Sequence, residues 1–244
     1  AVRPEVEPEF LDAYEFGFKK TFGATLQTNA ALFYYRYDGA QVPVSVVRNS
    51  VNQSEFINLE ESQSIGAELE AIWAPTDQLR FMLNYSYLDA TIEKACCVVN
   101  SADLLAKDVN ANPSGPLIGG RQGQDLSGNS LPSSPKNKLA LNGTYRLDFQ
   151  PGALTLSATY SWKDKVSYGI FDYSPEIADA QDQLDLRAVW AGAGDRYTII
   201  GYVRNVFDEE LLDGIETGPA NGGSMRTLYM TPPRTYGIEL QYRF

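Results

Sequence analysis

Residues 232–244 read PPRTYGIELQYRF and close the chain. Arg234, Tyr236, Ile238, Leu240, Tyr242 and Phe244 alternate with Thr235, Gly237, Glu239, Gln241 and Arg243. After Arg234, one set is wholly apolar and the other wholly polar or small. A period of two is the strand period. In a water-soluble sheet an apolar face meets a core. In a membrane-spanning β-barrel it meets lipid, and the polar face lines the interior.

The same alternation recurs upstream. A first strand is expected over roughly 10–20, with Tyr14, Phe16 and Phe18 opposite Glu15, Gly17 and Lys19. A second, 24–37, sets Leu26, Ala30, Leu32 and Tyr34 against Gln27 and Asn29. A third, 61–73, sets Ile65, Ala67, Leu69, Ala71 and Trp73 against Ser64, Gly66, Glu68 and Glu70. In a fourth, 78–91, Leu79, Phe81, Leu83, Tyr85 and Tyr87 oppose Arg80, Asn84 and Ser86. A fifth, 136–147, places Leu139, Leu141, Tyr145 and Leu147 against Lys138, Asn142, Thr144 and Arg146. The sixth follows a turn at Pro151 and Gly152 and sets Leu154, Leu156, Ala158, Tyr160 and Trp162 against Thr155, Ser157, Thr159, Ser161 and Lys163. The seventh has Leu184, Leu186, Ala188 and Trp190 opposite Gln183, Asp185 and Arg187. The eighth, 196–207, is the least regular: Tyr197, Ile199, Gly201 and Val203 face a mixed set, Thr198, Ile200, Tyr202 and Arg204.

Nine strands result. Short turns are expected near 21–23, 74–77, 148–152 and 192–195, and long irregular segments over 38–54, 92–135, 164–180 and 208–229. Short turns at one end and long loops at the other are the pattern of outer-membrane barrels. A sandwich gives no reason for it. Aromatic placement agrees. Trp73, Tyr145, Trp190, Tyr197, Tyr242 and Phe244 lie on the apolar register near the short-turn end, and Tyr34, Tyr85, Tyr87, Tyr160 and Trp162 near the long-loop end. Two aromatic belts around an aliphatic band match two membrane interfaces. Charges on this register, at Asp12, Lys20, Arg36, Asp89 and Arg234, fall only near strand ends. The opposite register carries Glu15, Lys19, Glu68, Glu70, Arg80, Arg146, Asp185, Arg187, Arg204, Glu239 and Arg243, too polar for a packed core.

Composition narrows the function. The chain has 244 residues, 43% hydrophobic and 12% aromatic, with 15 tyrosines and a net charge of −11. The acidic balance argues against nucleic acid as a partner. No apolar run reaches the ~18 residues of a transmembrane helix, which leaves a β-barrel open. There is no histidine, which removes the Ser-His-Asp and Cys-His arrangements; an enzyme is not expected, nor a cofactor. Cys96 and Cys97 are adjacent and admit either a loop disulfide or two free thiols. No leader sequence precedes Ala1, so the chain reads as mature or as a piece of something longer.

Six segments resemble the C-terminal half of the barrel of a TonB-dependent outer-membrane receptor. Pro8-Glu9 with Tyr14 through Lys19 resembles the family's PE…YExGxK entry to a strand, Ser64 through Glu70 its SxGxExE strand, and Asn84 through Ala90 the strand after it. Leu131-Pro132 through Pro135-Lys136 resembles the return from a long extracellular loop. Val203-Arg204-Asn205-Val206-Phe207-Asp208 resembles the penultimate strand, and Pro233-Arg234-Thr235-Tyr236-Gly237 through Phe244 the last. Each motif is short; their order along one chain is specific. The resemblance implies an all-β, antiparallel transmembrane segment of about nine strands from a 22-stranded barrel, spanning 1–244, with no plug domain, TonB box or earlier strands. Those strands are expected from residues before Ala1 or from another chain, because nine strands leave an edge unpaired in lipid.

The same resemblance implies the bacterial outer membrane, with short turns and Phe244 periplasmic and long loops extracellular. It implies active transport of a scarce bulky ligand, a ferric siderophore first, a cobalamin or glycan otherwise. Expected partners are lipid and lipopolysaccharide, the remaining barrel and plug, the TonB system and the transported ligand. Candidate ligand contacts are Tyr168, Phe171 and Tyr173 in one loop and Arg226 and Tyr229 in another. Asp208, Glu209 and Glu210 read first as a solvated loop start and second as a cation site. A passive porin and a secreted β-sandwich adhesin or lectin are the alternative readings.

Overall fold

Alternation of period two, broken only by short turns at one end, lets each strand pair with its neighbour in sequence. The computed structural model describes residues 6–48, 51–192, 194 and 196–244. It shows one nine-stranded sheet: β1 (Phe10–Phe22), β2 (Leu26–Arg48), β3 (Val51–Trp73), β4 (Leu79–Lys94), β5 (Asn137–Phe149), β6 (Gly152–Lys163), β7 (Gln181–Gly192), β8 (Tyr197–Arg204) and β9 (Thr235–Tyr242). Every neighbour pair is antiparallel and the order is that of the chain. Among the described residues, the outer edges of β1 and β9 pair with nothing. No described helix is long and apolar enough to cross a membrane, which leaves strands to do so.

Register holds the two faces apart. Leu69, Tyr85, Leu139, Trp162 and Asp182 lie side by side across five strands. Behind them Glu68, Ser86, Lys138, Lys163 and Gln181 form a polar row. The apolar face has no cover: Leu186 is 41% exposed and Ile238 83%. An uncovered apolar face of this size on one sheet is what a lipid contact requires and a sandwich forbids. Near the short turns Trp73 stacks on Phe81 and Phe149 meets Trp190 at a tilt, both with ring centroids 5.7 Å apart. Tyr85 donates its hydroxyl to Asn137 at the other end. The short turn expected at 192–195 includes residues 193 and 195, outside the described residues.

The long segments carry some regular structure of their own. Residues 38–48 and 51–54 do not leave the sheet: β2 and β3 stay paired from Asp38↔Glu61 to Arg48↔Val51. Val42 and Val44 keep the strand period, with Gln41, Pro43 and Ser45 between them. The register bends at Gly39, whose φ of +75° is open chiefly to glycine. Asn58 braces the bend by donating to the Gly39 and Glu7 carbonyls. Above it Val44 and Leu59 pack with Ile92, Ala95, Leu126 and Ile170. The buried core therefore sits at the long-loop end, not between sheets. Segment 92–135 first extends β4 to Lys94, then folds on itself through Leu117–Ile118 with Arg121–Gln122 and a bridge from Val98 to Gln124. Cys96 and Cys97 within it are joined to each other.

β8 ends at Arg204, three residues earlier than its pattern predicts. Asn205 takes a left-handed conformation, φ +51°. Its amide donates to Asp185, its side-chain nitrogen to the Glu209 carbonyl, and its Oδ1 accepts from Glu209 N–H. Ile200 is buried on the mixed face, and Tyr202 lies over Gly237 of β9 with Arg204 stacked on its ring. Aromatic cover over a strand glycine explains why that face could not read as cleanly polar.

Candidate functional site

Two loops close over the long-loop end of the sheet. In the first, 164–180, Val166–Ser167 pairs with Ile177–Ala178, and Ser174–Glu176 makes one 3-10 turn between them. In the second, 208–229, Leu212–Thr217 forms a ladder with Arg226–Met230 that runs one residue past it. Val166, Ala178 and Ile215 bury one another, so the two loops pack together.

The backbone of Leu212 ties this unit to the wall. Leu212 N–H donates to Gln181 Oε1 at 2.8 Å. Its carbonyl accepts from Lys163 Nζ at 3.0 Å and from Tyr168 O–H at 2.8 Å. Two of these groups come from the sheet and one from the other loop. Beneath the tie lies a cavity of about 560 Å³ along the polar face, lined by Glu68, Glu70, Lys138, Lys163 and Asp213 among others. Gln181→Leu leaves the part-buried Leu212 N–H without its acceptor, a loss of about 1 kcal/mol. The expected result is faster proteolytic cutting within 208–217, with cutting elsewhere unchanged.

Above the tie is a mouth cavity of about 600 Å³. The β2–β3 extension past Gly39, both loops and the start of segment 92–135 contribute to it, through Val44, Asn100, Tyr168, Phe171, Glu176 and Thr217. Of the candidate ligand contacts, Tyr168 and Phe171 line this cavity, and both also pack against buried clusters. Burial pushes the Tyr168 hydroxyl up, with Asp213 adding to the shift. Tyr173, Arg226 and Tyr229 do not line this cavity. Tyr173 precedes the 3-10 turn and accepts from the Glu176 amide. Arg226 points its guanidinium at the Pro175 carbonyl, 3.4 Å away. Tyr229 donates to Glu216 at 3.1 Å, which raises its own hydroxyl.

Asp208 is engaged elsewhere. It receives Arg234 Nη2 at 3.2 Å and the Arg234 amide at 2.9 Å. No group of three acidic, histidine or cysteine side chains able to hold a metal occurs among the described residues. Asp208 thus anchors the start of its loop to Arg234, the residue before β9. Lys163, Gln181 and Glu176 were not singled out by sequence. The first two carry no local signal beyond a polar strand face, because their partner lies 31 or more residues away.

The family described as TonB dependent receptor-like, beta-barrel, matches residues 2–206. The chain belongs to this family. Its motifs are now explained by contacts: Asp208 closes the penultimate-strand signature onto Arg234 of the last one. Among solved structures, the ferric yersiniabactin uptake receptor FyuA from Yersinia pestis superposes with a TM-score of 0.70 at 18% identity, over 97% of this chain and 30% of its own. The siderophore receptor PiuA from Acinetobacter baumannii gives 0.65 at 19%, over 94% and 28%. The copper transporter OprC gives 0.67 at 14%, over 98% and 32%. At these identities the likeness is one of fold. The chain spans about a third of the length of these structures or less. They are named as receptors and a transporter, none as an enzyme. No curated protein matches the chain by sequence.

Proposed function

We propose that this chain is barrel wall and extracellular loops of an outer-membrane receptor that imports a bulky, scarce ligand, a ferric siderophore. The observation that carries the reading is the mouth cavity, walled by loops that are locked together and lined by Tyr168 and Phe171. Cavities of this size with aromatic lining suit small-molecule ligands. In this orientation the short turns and Phe244 face the periplasm. The two aromatic belts meet the membrane interfaces, and lipid and lipopolysaccharide surround the outer face. The free edges of β1 and β9 join further strands, from this polypeptide or another. A plug inside the barrel couples the mouth to TonB. Neither a porin nor a sandwich adhesin supplies this combination of family and uncovered apolar face.

The test is binding of ferric siderophores by the full-length receptor carrying single alanine substitutions. Tyr168→Ala and Phe171→Ala are expected to weaken affinity about tenfold or more, as aromatic anchors do. Tyr173→Ala, outside the cavity, is expected to stay within about twofold. Affinity unchanged in all three removes the mouth cavity as the site.

A further inference from the structure

The mouth cavity carries charge of one sign. Among the described residues, Glu176 and Glu216 line it, and no lysine or arginine does. Glu176 is half-buried, its carboxylate lying against Gly169. Burial pushes this carboxyl up, with the adjoining Thr217 opposing the rise. Glu216 is exposed and has the Tyr229 hydroxyl as donor. Arg226 sits between the lining residues Met225 and Thr227 but directs its guanidinium at a carbonyl. The two loops around the cavity, 164–180 and 208–229, carry nine acidic side chains and two basic ones. A carboxylate withdrawn from water and given no cation is stabilised when a cation enters beside it. Two carboxylates in a partly enclosed site also set a negative potential that turns away anions.

We infer that the cargo met by this wall is a chelate of neutral or positive net charge with an apolar body, and not a polyanionic one. This rests on the uptake reading above and narrows it. Ferric trihydroxamates with a free ammonium group have the right charge. Ferric tris-catecholates, as trianions, have the wrong one.

Two measurements on the full-length receptor keep the inference and the uptake reading apart. The first uses aromatic dyes of matched size, one bearing a quaternary ammonium and one a sulfonate, read by fluorescence anisotropy. At low salt the cationic dye is expected to bind about tenfold tighter, as one close unlike-charge contact in place of a like-charge contact allows. In the Glu176→Gln/Glu216→Gln receptor that ratio is expected to fall to about one, and in the parent to shrink at high salt. Glu216→Gln alone, at an exposed position, is the fallback if the double variant does not fold, with a fall of about threefold expected. A ratio of one or below in the parent, a ratio the substitutions do not move, or binding of neither dye overturns the inference. The second compares uptake of a ferric trihydroxamate bearing an ammonium with that of a ferric tris-catecholate. Preference for the trianion overturns the charge inference and leaves uptake standing. Uptake of neither removes the ferric-chelate reading, while the dyes still decide the charge.

Discussion

Gly66→Val is expected to prevent the full-length receptor from folding into membranes, with a penalty of about 3 kcal/mol, the upper end for overpacking. Gly66 lies on the polar face of β3, between Phe33 of β2 and Leu88 of β4. A Cβ built there falls on the Cζ of Phe33, 2.8 Å from its Cε1 and 2.7 Å from the Tyr87 carbonyl oxygen. The ring covers the glycine and is itself stacked on Tyr35, centroids 5.0 Å apart. Phe33 could turn aside only by giving up that stack. Tyr87 O could not turn aside at all, since it belongs to the β4 backbone. Phe33→Ala is therefore expected to rescue Gly66→Val only in part. Gly201 provides the control: nothing lies within 4 Å of its Cβ position, on the opposite face. Gly201→Ala should fold like the parent. The check is heat-modifiable gel mobility after refolding into liposomes, and normal folding of Gly66→Val defeats the account.

This glycine shows what sequence reading reaches. Ser64 through Glu70 alternates cleanly, so the strand and its faces follow from period alone. That Phe33 needs the space above Gly66 depends on register between strands 33 residues apart, which no local pattern encodes. The pairing of 38–48 with 51–61 departs from the sequence reading for another reason. Val42, Val44 and Val46 have the strand period, but Asp38, Gly39, Pro43 and Ser45 between them carry the composition of a loop. Pairing over twenty-odd residues and a buried face against Leu126 and Ile170 outweigh that composition. The site divides the same way. Tyr168 and Phe171 stand out as aromatics in a polar loop. Glu176 looks like any solvated acid until the fold places it over Gly169, and Leu212 is legible as a tether only once Gln181, Lys163 and Tyr168 converge on its backbone.

Leu186→Arg tests the reading on which everything else depends, that the uncovered face meets hydrocarbon. Leu186 lies mid-way along β7, beside Ala158 and Val203. If lipid surrounds it, an arginine there costs about 2–4 kcal/mol, and the cost falls to about 0–1 kcal/mol toward the interface. The strand contains its own calibration. Arg187, the next residue, is native and points to the polar face. Asp182, on the apolar register but near the long-loop end, is native too, where charge reaches water. Leu184→Arg, between Asp182 and Leu186, should then cost less than Leu186→Arg. A protein partner or a soluble core over this face would not grade the cost by distance from the strand centre, because burial there depends on local contacts and not on depth. Urea unfolding of the full-length receptor in liposomes reads the difference directly. Equal costs at 184 and 186, or none at 186, would mean that this face does not lie in a bilayer, and the placement of the loops as extracellular would fall with it.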